Sequence, residues 1–286
     1  MFVVQYNTTA ICAYQGGNGV KIKKQRIVVK VGTSTLVREN GALKLHSIDR
    51  LARVLCDLKG MGHEIVLVSS GAIGIGAGKL GLKERPKELR FKQAVAAVGQ
   101  CEMMHLYDKF FGEYSQTVGQ ILLTGDDVDH RSRAEHLAAT FEALLEIGCI
   151  PVVNENDSVS SEEIETGKAK VLGDNDTLSA IVARLCGADL LILLSDIDGL
   201  YDKDPHKNPD AKRLDTVHAV TPEVYGMAGG AGTAMGTGGM TTKLDAAKLC
   251  LEAGIDMVIT NGERMDDLYS VVAGDSIGTR FTALQD

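Results

Sequence analysis

The chain lacks the marks of several function classes. Its six cysteines, Cys12, Cys56, Cys101, Cys149, Cys186 and Cys250, form no C-x-x-C pair, so neither a zinc ribbon nor a dithiol redox motif is supported. Most lie inside apolar runs and read as reduced core residues of a cytoplasmic protein. The seven histidines show no H-E-x-x-H or comparable ligand spacing, and no metal held by protein side chains is expected. No stretch nears the ~18 consecutive apolar residues of a membrane span. Residues 1–25 carry no basic segment leading into an apolar core, so no signal peptide is indicated. Positive charge is also short. Lys+Arg 30 against Asp+Glu 38 leaves a net charge of -8, which argues against a nucleic-acid surface.

What is present is an ordinary soluble composition, 44% hydrophobic and 24% charged over 286 residues, with 32 glycines. Glycine therefore exceeds its usual share of roughly 7%, and loops of special backbone geometry are expected. Short β-rich apolar runs predict strands over Arg26–Val31, Glu64–Ser69, Gln120–Thr124, Ile150–Asn154, Leu190–Ser195 and Met257–Thr260. Continuous apolar runs of this kind suit strands buried on both faces. Helical patterns fall between them. Ser47 is placed as the N-cap of Ile48–Lys59, with Gly60 and Gly62 as stop signals. A long helix follows Pro86 and runs through Phe111. Helices over Arg131–Ile147, Thr177–Cys186 and Leu244–Ala253 each end at a glycine, the residue suited to a left-handed C-terminal position. Repeated helix–glycine–strand punctuation predicts βα units, hence a largely parallel sheet with helices on both faces. Asn154–Asp176, with short alternating stretches over Ser158–Ile164 and Lys168–Leu172, reads as a hairpin over the sheet edge, and 201–236 as a long loop with little periodicity. No linker divides the chain into two domains.

In such sheets ligands gather beyond the carboxyl ends of the strands. Here those ends meet turns rich in glycine, hydroxyls, Asn, Asp and lysine. Gly236-Thr237-Gly238-Gly239-Met240-Thr241-Thr242-Lys243 precedes a predicted helix. Glycines admit close backbone approach, and a helix start offers free N–H groups to an anion. A glycine-rich surface loop is the plain alternative. The G-x-x-x-x-G-K-[ST] order of a Walker A loop is absent. Lys30 lies near the end of the first strand, before Gly32-Thr33-Ser34, where a lysine is costly unless paired or led out to water. Asp174-Asn175-Asp176-Thr177 opens a helix. An aspartate there serves either as a cap or as a carboxylate holding Lys30 and Lys243 charged between them.

Val29-Lys30-Val31-Gly32-Thr33-Ser34, Ser69-Ser70-Gly71-Ala72-Ile73, Asn154-Glu155-Asn156-Asp157, Gly173-Asp174-Asn175-Asp176, Ser195-Asp196-Ile197-Asp198-Gly199-Leu200-Tyr201 and Gly236–Lys243 together resemble the motifs of the amino acid kinase family, in its glutamate-phosphorylating branch. The likeness runs in order over about residues 26–281. It implies a three-layer αβα sandwich with a largely parallel central sheet. It implies transfer of the ATP γ-phosphoryl group to the side-chain carboxylate of L-glutamate, the step that begins proline synthesis, with Mg²⁺ carried on the ATP phosphates. Lys30 and Lys243 take the phosphates and Asp176 organises them. Ser70, Gly71, Asn156, Asp157 and Asn175 match substrate-binding positions. Gly32, Ser195, Asp196, Thr237, Gly238, Gly239, Met240, Thr241 and Thr242, with the two lysines, match the nucleotide site. An acidic Asp157 suits a free α-ammonium group. It gives no account of an acetylated acceptor such as that of N-acetylglutamate kinase, and a uridylate kinase would call for basic acceptor residues. A silent sensor on the same fold is the rival of another class, and the presence of Lys30, Asp176 and Lys243 speaks against it. The likeness further implies a homo-oligomer (dimer or tetramer), feedback inhibition by proline, and hand-off of product to glutamyl phosphate reductase, with no nucleic-acid or membrane partner. Many members of the family carry a C-terminal domain of the PUA type. The expectation here is a kinase domain over 25–286 without that domain, preceded by an extension over 1–24 of unassigned role.

Overall fold

Strand β1 (Arg26–Val31) is the axis of the sheet, paired in parallel with β2 (Glu64–Ser69) on one side and β5 (Leu190–Ser195) on the other. The computed structural model describes residues 23–38, 41–160, 174–205, 207–228 and 239–284. Outward from β2 lie β4 (Ile150–Glu155) and β3 (Val118–Leu123), and outward from β5 lie β7 (Asp256–Asn261), β8 (Thr279–Phe281) and β6 (Thr216–Val217). Every pairing is parallel except β7 with β8. The chain builds outward from β1 in two directions, so β1 borders the switch point where an open α/β sheet leaves a crevice.

Ten helices are described: α1 (Thr33–Leu36), α2 (Leu45–Gly60), α3 (Ala72–Lys79), α4 (Leu89–Gly112), α5 (Gly125–Asp129), α6 (Arg131–Glu146), α7 (Asn175–Leu185), α8 (Pro222–Met227), α9 (Met240–Glu252) and α10 (Asp267–Ala273). They cover both faces of the sheet, which gives the three-layer αβα architecture. Period-two alternation along β1 divides the core. Ile27, Val29 and Val31 join Leu51, Leu55 and Phe111 under α2 and α4. Val28 joins Leu178, Val182 and Ala247 under α7 and α9. These β1 side chains are all fully buried, and each contributes about 1.5–3 kcal/mol relative to exposure. Lys30 shares the parity of Val28, so it rises on the face covered by α7.

The strands match the apolar runs closely: three have the expected bounds, β4 and β7 extend by one residue at one or both ends, and β3 starts two residues before the expected Gln120 and stops one residue before Thr124. Several helix starts differ. Helix α2 begins at Leu45 with Lys44 as its cap, and Ser47 lies in its first turn. Leu45 is 53% exposed, so no apolar periodicity marks that turn. Gly60 belongs to the helix, and the left-handed stop is Gly62, at φ 100°. Helix α9 starts four residues before the expected Leu244, because Met240–Lys243 form its first turn and not a loop. The 201–236 segment is not featureless: Tyr201 bridges to Arg213, β6 adds an edge strand, and Thr221 caps α8 with Pro222 in its first turn. Of the expected hairpin, residues 161–173 lie outside the described residues; Val159 and Ser160 turn back onto the Asn156 carbonyl. Cys56, Cys186 and Cys250 are buried, whereas Cys101 is exposed and Cys149 half-buried. Among the described residues no helix is long and apolar enough to cross a membrane.

Helices α3 and α4 touch backbone to backbone. A Cβ on Gly99 would fall 1.7 Å from the Ala72 carbonyl oxygen, and one on Gly76 would fall 2.0 Å from that of Val95. Gly99→Ala therefore sets two effects against each other. Helix propensity favours alanine by about 1 kcal/mol, while the clash forces the helices apart at a cost of about 1–3 kcal/mol or more. The clash wins at these distances. Urea unfolding is expected to show a net loss of stability, and an unchanged or raised midpoint would contradict the crossing.

Candidate active site

Helix α7 starts with two aspartates that do different jobs. Asp174 is the cap: its Oδ1 accepts from the Asp176 N–H at 2.6 Å and the Thr177 N–H at 3.1 Å. Asp176, one turn-step further, is aimed inward and is 1% exposed. Its Oδ1 lies 2.6 Å from Lys30 Nζ and its Oδ2 lies 3.1 Å from Lys243 Nζ. The Lys30 contact is an ion pair without a hydrogen bond of good angle. Thr242 Oγ1 sits 3.1 Å from Asp176 Oδ2 and 2.8 Å from the Gly239 carbonyl, so its one proton serves either acceptor. Lys30 arrives from β1 and Lys243 from the first turn of α9, which packs against α7.

Both lysines are buried, with 9% and 7% of their surfaces exposed. Burial alone would push the Asp176 carboxyl up, but the charges of Lys30 and Lys243 outweigh it and hold the group below the usual carboxylate range. Asp174 is shifted the other way: burial, then the charge of Asp176, raise it, and its backbone hydrogen bonds only partly offset them. Two cations on one anion leave this trio with a net positive charge, which suits an anionic ligand beside it, while Glu155, Asp157, Asp174 and Asp196 bring negative charge to other parts of the cavity.

That cavity, of about 460 Å³, opens at the carboxyl ends of β1, β2, β4 and β5. Of the residues singled out from the sequence, Lys30, Gly32, Ser70, Gly71, Asp157, Asn175, Asp176, Ser195, Asp196 and Lys243 line it. Gly71 stands at φ 100°, where a Cβ would also press on Thr33 at 3.2 Å, so the turn into α3 requires glycine. Ser70 Oγ donates to the Val31 carbonyl and Ser195 Oγ to Asp196. Asn156 is not in the wall; its N–H bonds the Leu123 carbonyl at 2.7 Å. Gly239 caps α9, and Met240 and Thr241 form its first turn outside the wall. Thr237 and Gly238 lie outside the described residues. Sequence reasoning passed over Arg85, Leu89, Lys92 and Gln93, which also line the cavity. Their spacing held a signal: Leu89, Lys92 and Gln93 stand at i, i+3 and i+4 on one face of α4. Asn154, buried at the end of β4, donates to Gln100 of the same helix at 3.0 Å. Among the described residues no group of three or more His, Cys, Asp or Glu side chains is placed to hold a metal ion.

The chain with this buried carboxylate shared by two lysines matches, over residues 25–261, the family model described as the amino acid kinase family. The chain belongs to the amino acid kinase family. It is 55% identical over 259 residues to "Glutamate 5-kinase" of Clostridium perfringens, covering 91% of this chain and 96% of that one. It is 52% identical to "Glutamate 5-kinase" of Listeria monocytogenes, with 91% and 93% covered. Carbamate kinase from Giardia lamblia bound to AMP-PNP shares the fold, at TM-score 0.63 and 15% identity over 92% of this chain and 99% of the other.

Asp176→Asn leaves two buried ammonium groups without their anion, and a loss of about 3–5 kcal/mol is expected. The folded carboxyl is depressed, so its contribution is fully present above the unfolded value of about 3.9 and is lost as pH falls through the folded value. Urea unfolding of both proteins should show a gap that is constant from neutral pH down to about 5 and narrows below about 4. A gap that stays constant at acid pH would refute the pairing.

Proposed function

We propose that this chain transfers the γ-phosphoryl group of ATP to the side-chain carboxylate of L-glutamate, giving L-glutamyl 5-phosphate and ADP, the first step of proline synthesis. The observation that carries the reading is the convergence of Lys30 and Lys243 on opposite oxygens of Asp176. The names of relatives at about half identity support the acceptor.

A glutamate side chain has a pKa near 4.3 and is ionised at neutral pH, so the attacking oxygen needs no general base. An acceptor oxygen forms the new bond to phosphorus as the bond from phosphorus to the β–γ bridging oxygen breaks. Catalysis then consists of holding two anions in line and neutralising the charge that gathers on the transferring group. Lys30 and Lys243 supply that charge, and Asp176 fixes their ammonium groups without cancelling both. Gly32, Ser195, Asp196 and the start of α9 serve the nucleotide, and the family resemblance carries Thr237 and Gly238 into that role. Ser70, Gly71, Asn175 and Asp157 serve the acceptor, Asp157 taking the α-ammonium group, while Asn156, outside the wall, holds the turn through its bond to the Leu123 carbonyl. Mg²⁺, which prefers oxygen ligands and retains waters, would ride on the ATP phosphates and add neutralising charge there. Proline, as a smaller amino acid, would compete at the acceptor end of the cavity. A cytoplasmic homo-oligomer that passes its acyl phosphate to a reductase completes the reading.

Trapping of acyl phosphate with hydroxylamine, with glutamate, aspartate, N-acetylglutamate and UMP offered in turn, is expected to give product with glutamate. Lys243→Ala and Lys30→Ala should each lower kcat by about 100- to 1000-fold; turnover at the wild-type rate in either would remove that lysine from the mechanism. Asp157→Ala should raise KM for glutamate and leave KM for ATP near its original value. A rise confined to ATP would reverse the assignment.

A further inference from the structure

Lys30 and Lys243 are committed to Asp176, yet the cavity wall holds a further cation that no described residue neutralises. Arg85 lines the cavity, is exposed, and among the described residues has neither an ion pair nor a hydrogen bond. Its guanidinium is nonetheless placed. Nη2 comes within 3.3 Å of the point where a Cβ on Gly74 would stand, and that same point is 3.3 Å from the Thr33 methyl. The missing side chain of Gly74 leaves a notch in α3, and the flat guanidinium lies against it beside the turn that follows β1. Pro86, next in sequence, also lines the cavity.

The chemistry of the acceptor says what this cation is for. Glutamate brings three charged groups into the site. The reacting carboxylate belongs at the Lys30–Lys243 end. The α-ammonium and α-carboxylate sit on one carbon, so their protein partners must come from neighbouring segments. That is how the wall is built: Gln93 of α4 donates to the Ser160 carbonyl at 3.3 Å. This bond ties the α4 entrance, which follows Arg85, to the turn bearing Asp157. A carboxylate enclosed without a cation is costly, and arginine's planar fork meets a carboxylate through two parallel hydrogen bonds.

We propose that Arg85, seated over Gly74 at the α4 entrance, binds the α-carboxylate of the amino-acid acceptor and so selects an α-amino dicarboxylate over an amino acid that carries only the reacting carboxylate. The proposal rests on the acceptor reading given above. It extends that reading by naming the residue that distinguishes glutamate from 4-aminobutyrate, which keeps the amine and the reacting carboxylate and lacks the α-carboxylate.

Steady-state kinetics of the wild type, Arg85→Ala and Arg85→Lys, with hydroxylamine trapping of product, tests it. Loss of a charge-assisted pair should raise KM for glutamate by about 10- to 100-fold in Arg85→Ala. A contact equally strong in ground and transition states leaves kcat nearly unchanged, and KM for ATP should move less than about twofold on the same argument. Arg85→Lys should recover part of the loss, since it keeps the charge and gives up the fork. The inhibition constant of 4-aminobutyrate against glutamate should be the same in wild type and Arg85→Ala. Isoglutamine, whose α-carboxyl is an amide, takes its place if 4-aminobutyrate inhibits too weakly to measure. An unchanged KM for glutamate overturns the proposal. So does a matching rise in KM for ATP, which would move Arg85 to the nucleotide phosphates, and so does equal weakening of 4-aminobutyrate. Failure of the wild type to form acyl phosphate from glutamate would instead defeat the acceptor reading, independently of any Arg85 variant.

Discussion

One buried carboxylate ties the molecule together. Asp176 joins the central strand, through Lys30, to the helix that follows the glycine-rich segment, through Lys243. These partners lie far apart in sequence and meet only if the sheet, α7 and α9 are all in place. Taking three charges out of water is expensive, and their mutual attraction returns that cost only in good geometry. Hydrophobic side chains of similar volume would fill the space as well. What they would lack is a pair of ammonium groups held at a fixed separation before any ligand arrives. The arrangement therefore makes most sense as preorganisation, with fold stability spent on the positions of two charges.

The neighbouring aspartate shows how local chemistry sets that geometry. Asp174 satisfies the first free N–H groups of α7, which anchors the helix start, and the helix turn then places Asp176 inward over β1. Without a cap the first turn of a helix frays, and the carboxylate would lose its fixed direction. Stacking of α3 against α4 serves the other side of the cavity in a similar way. Backbone contact at Gly76 and Gly99 brings the wall that carries Arg85, Leu89 and Lys92 close to the turn at Gly71.

Much of this was legible in the chain. Strands β1, β2 and β5 have sharp ends because runs such as Ile27-Val28-Val29 stop where polar turns begin, and burial on both faces leaves no mixed region. Lys30 stood out because it interrupts such a run. Residue type alone did not separate Asp174 from Asp176, since capping and ion pairing ask for the same side chain and only the helix turn divides them; the family resemblance was what assigned the lysines to Asp176. Met240–Lys243 read as loop because three of four residues are polar, while the helix there is held by packing on α7. Leu45 hid the start of α2 because it faces water. Arg85 was missed for a different reason. Nothing in its sequence neighbourhood predicts a ligand, and its meaning comes from a glycine eleven residues earlier whose missing side chain receives it.

The parity of β1 has a consequence for how errors in folding show themselves. Val28 and Lys30 face α7, while Val29 and Val31 face α2 and α4. If the strand docked one position out of step between β2 and β5, the pleat would send the ammonium into the hydrocarbon layer on the far side and present valine to Asp176. Misalignment and loss of the shared ion pair are thus the same event. The residue that pairs with Asp176 also proofreads the alignment of the strand that bears it.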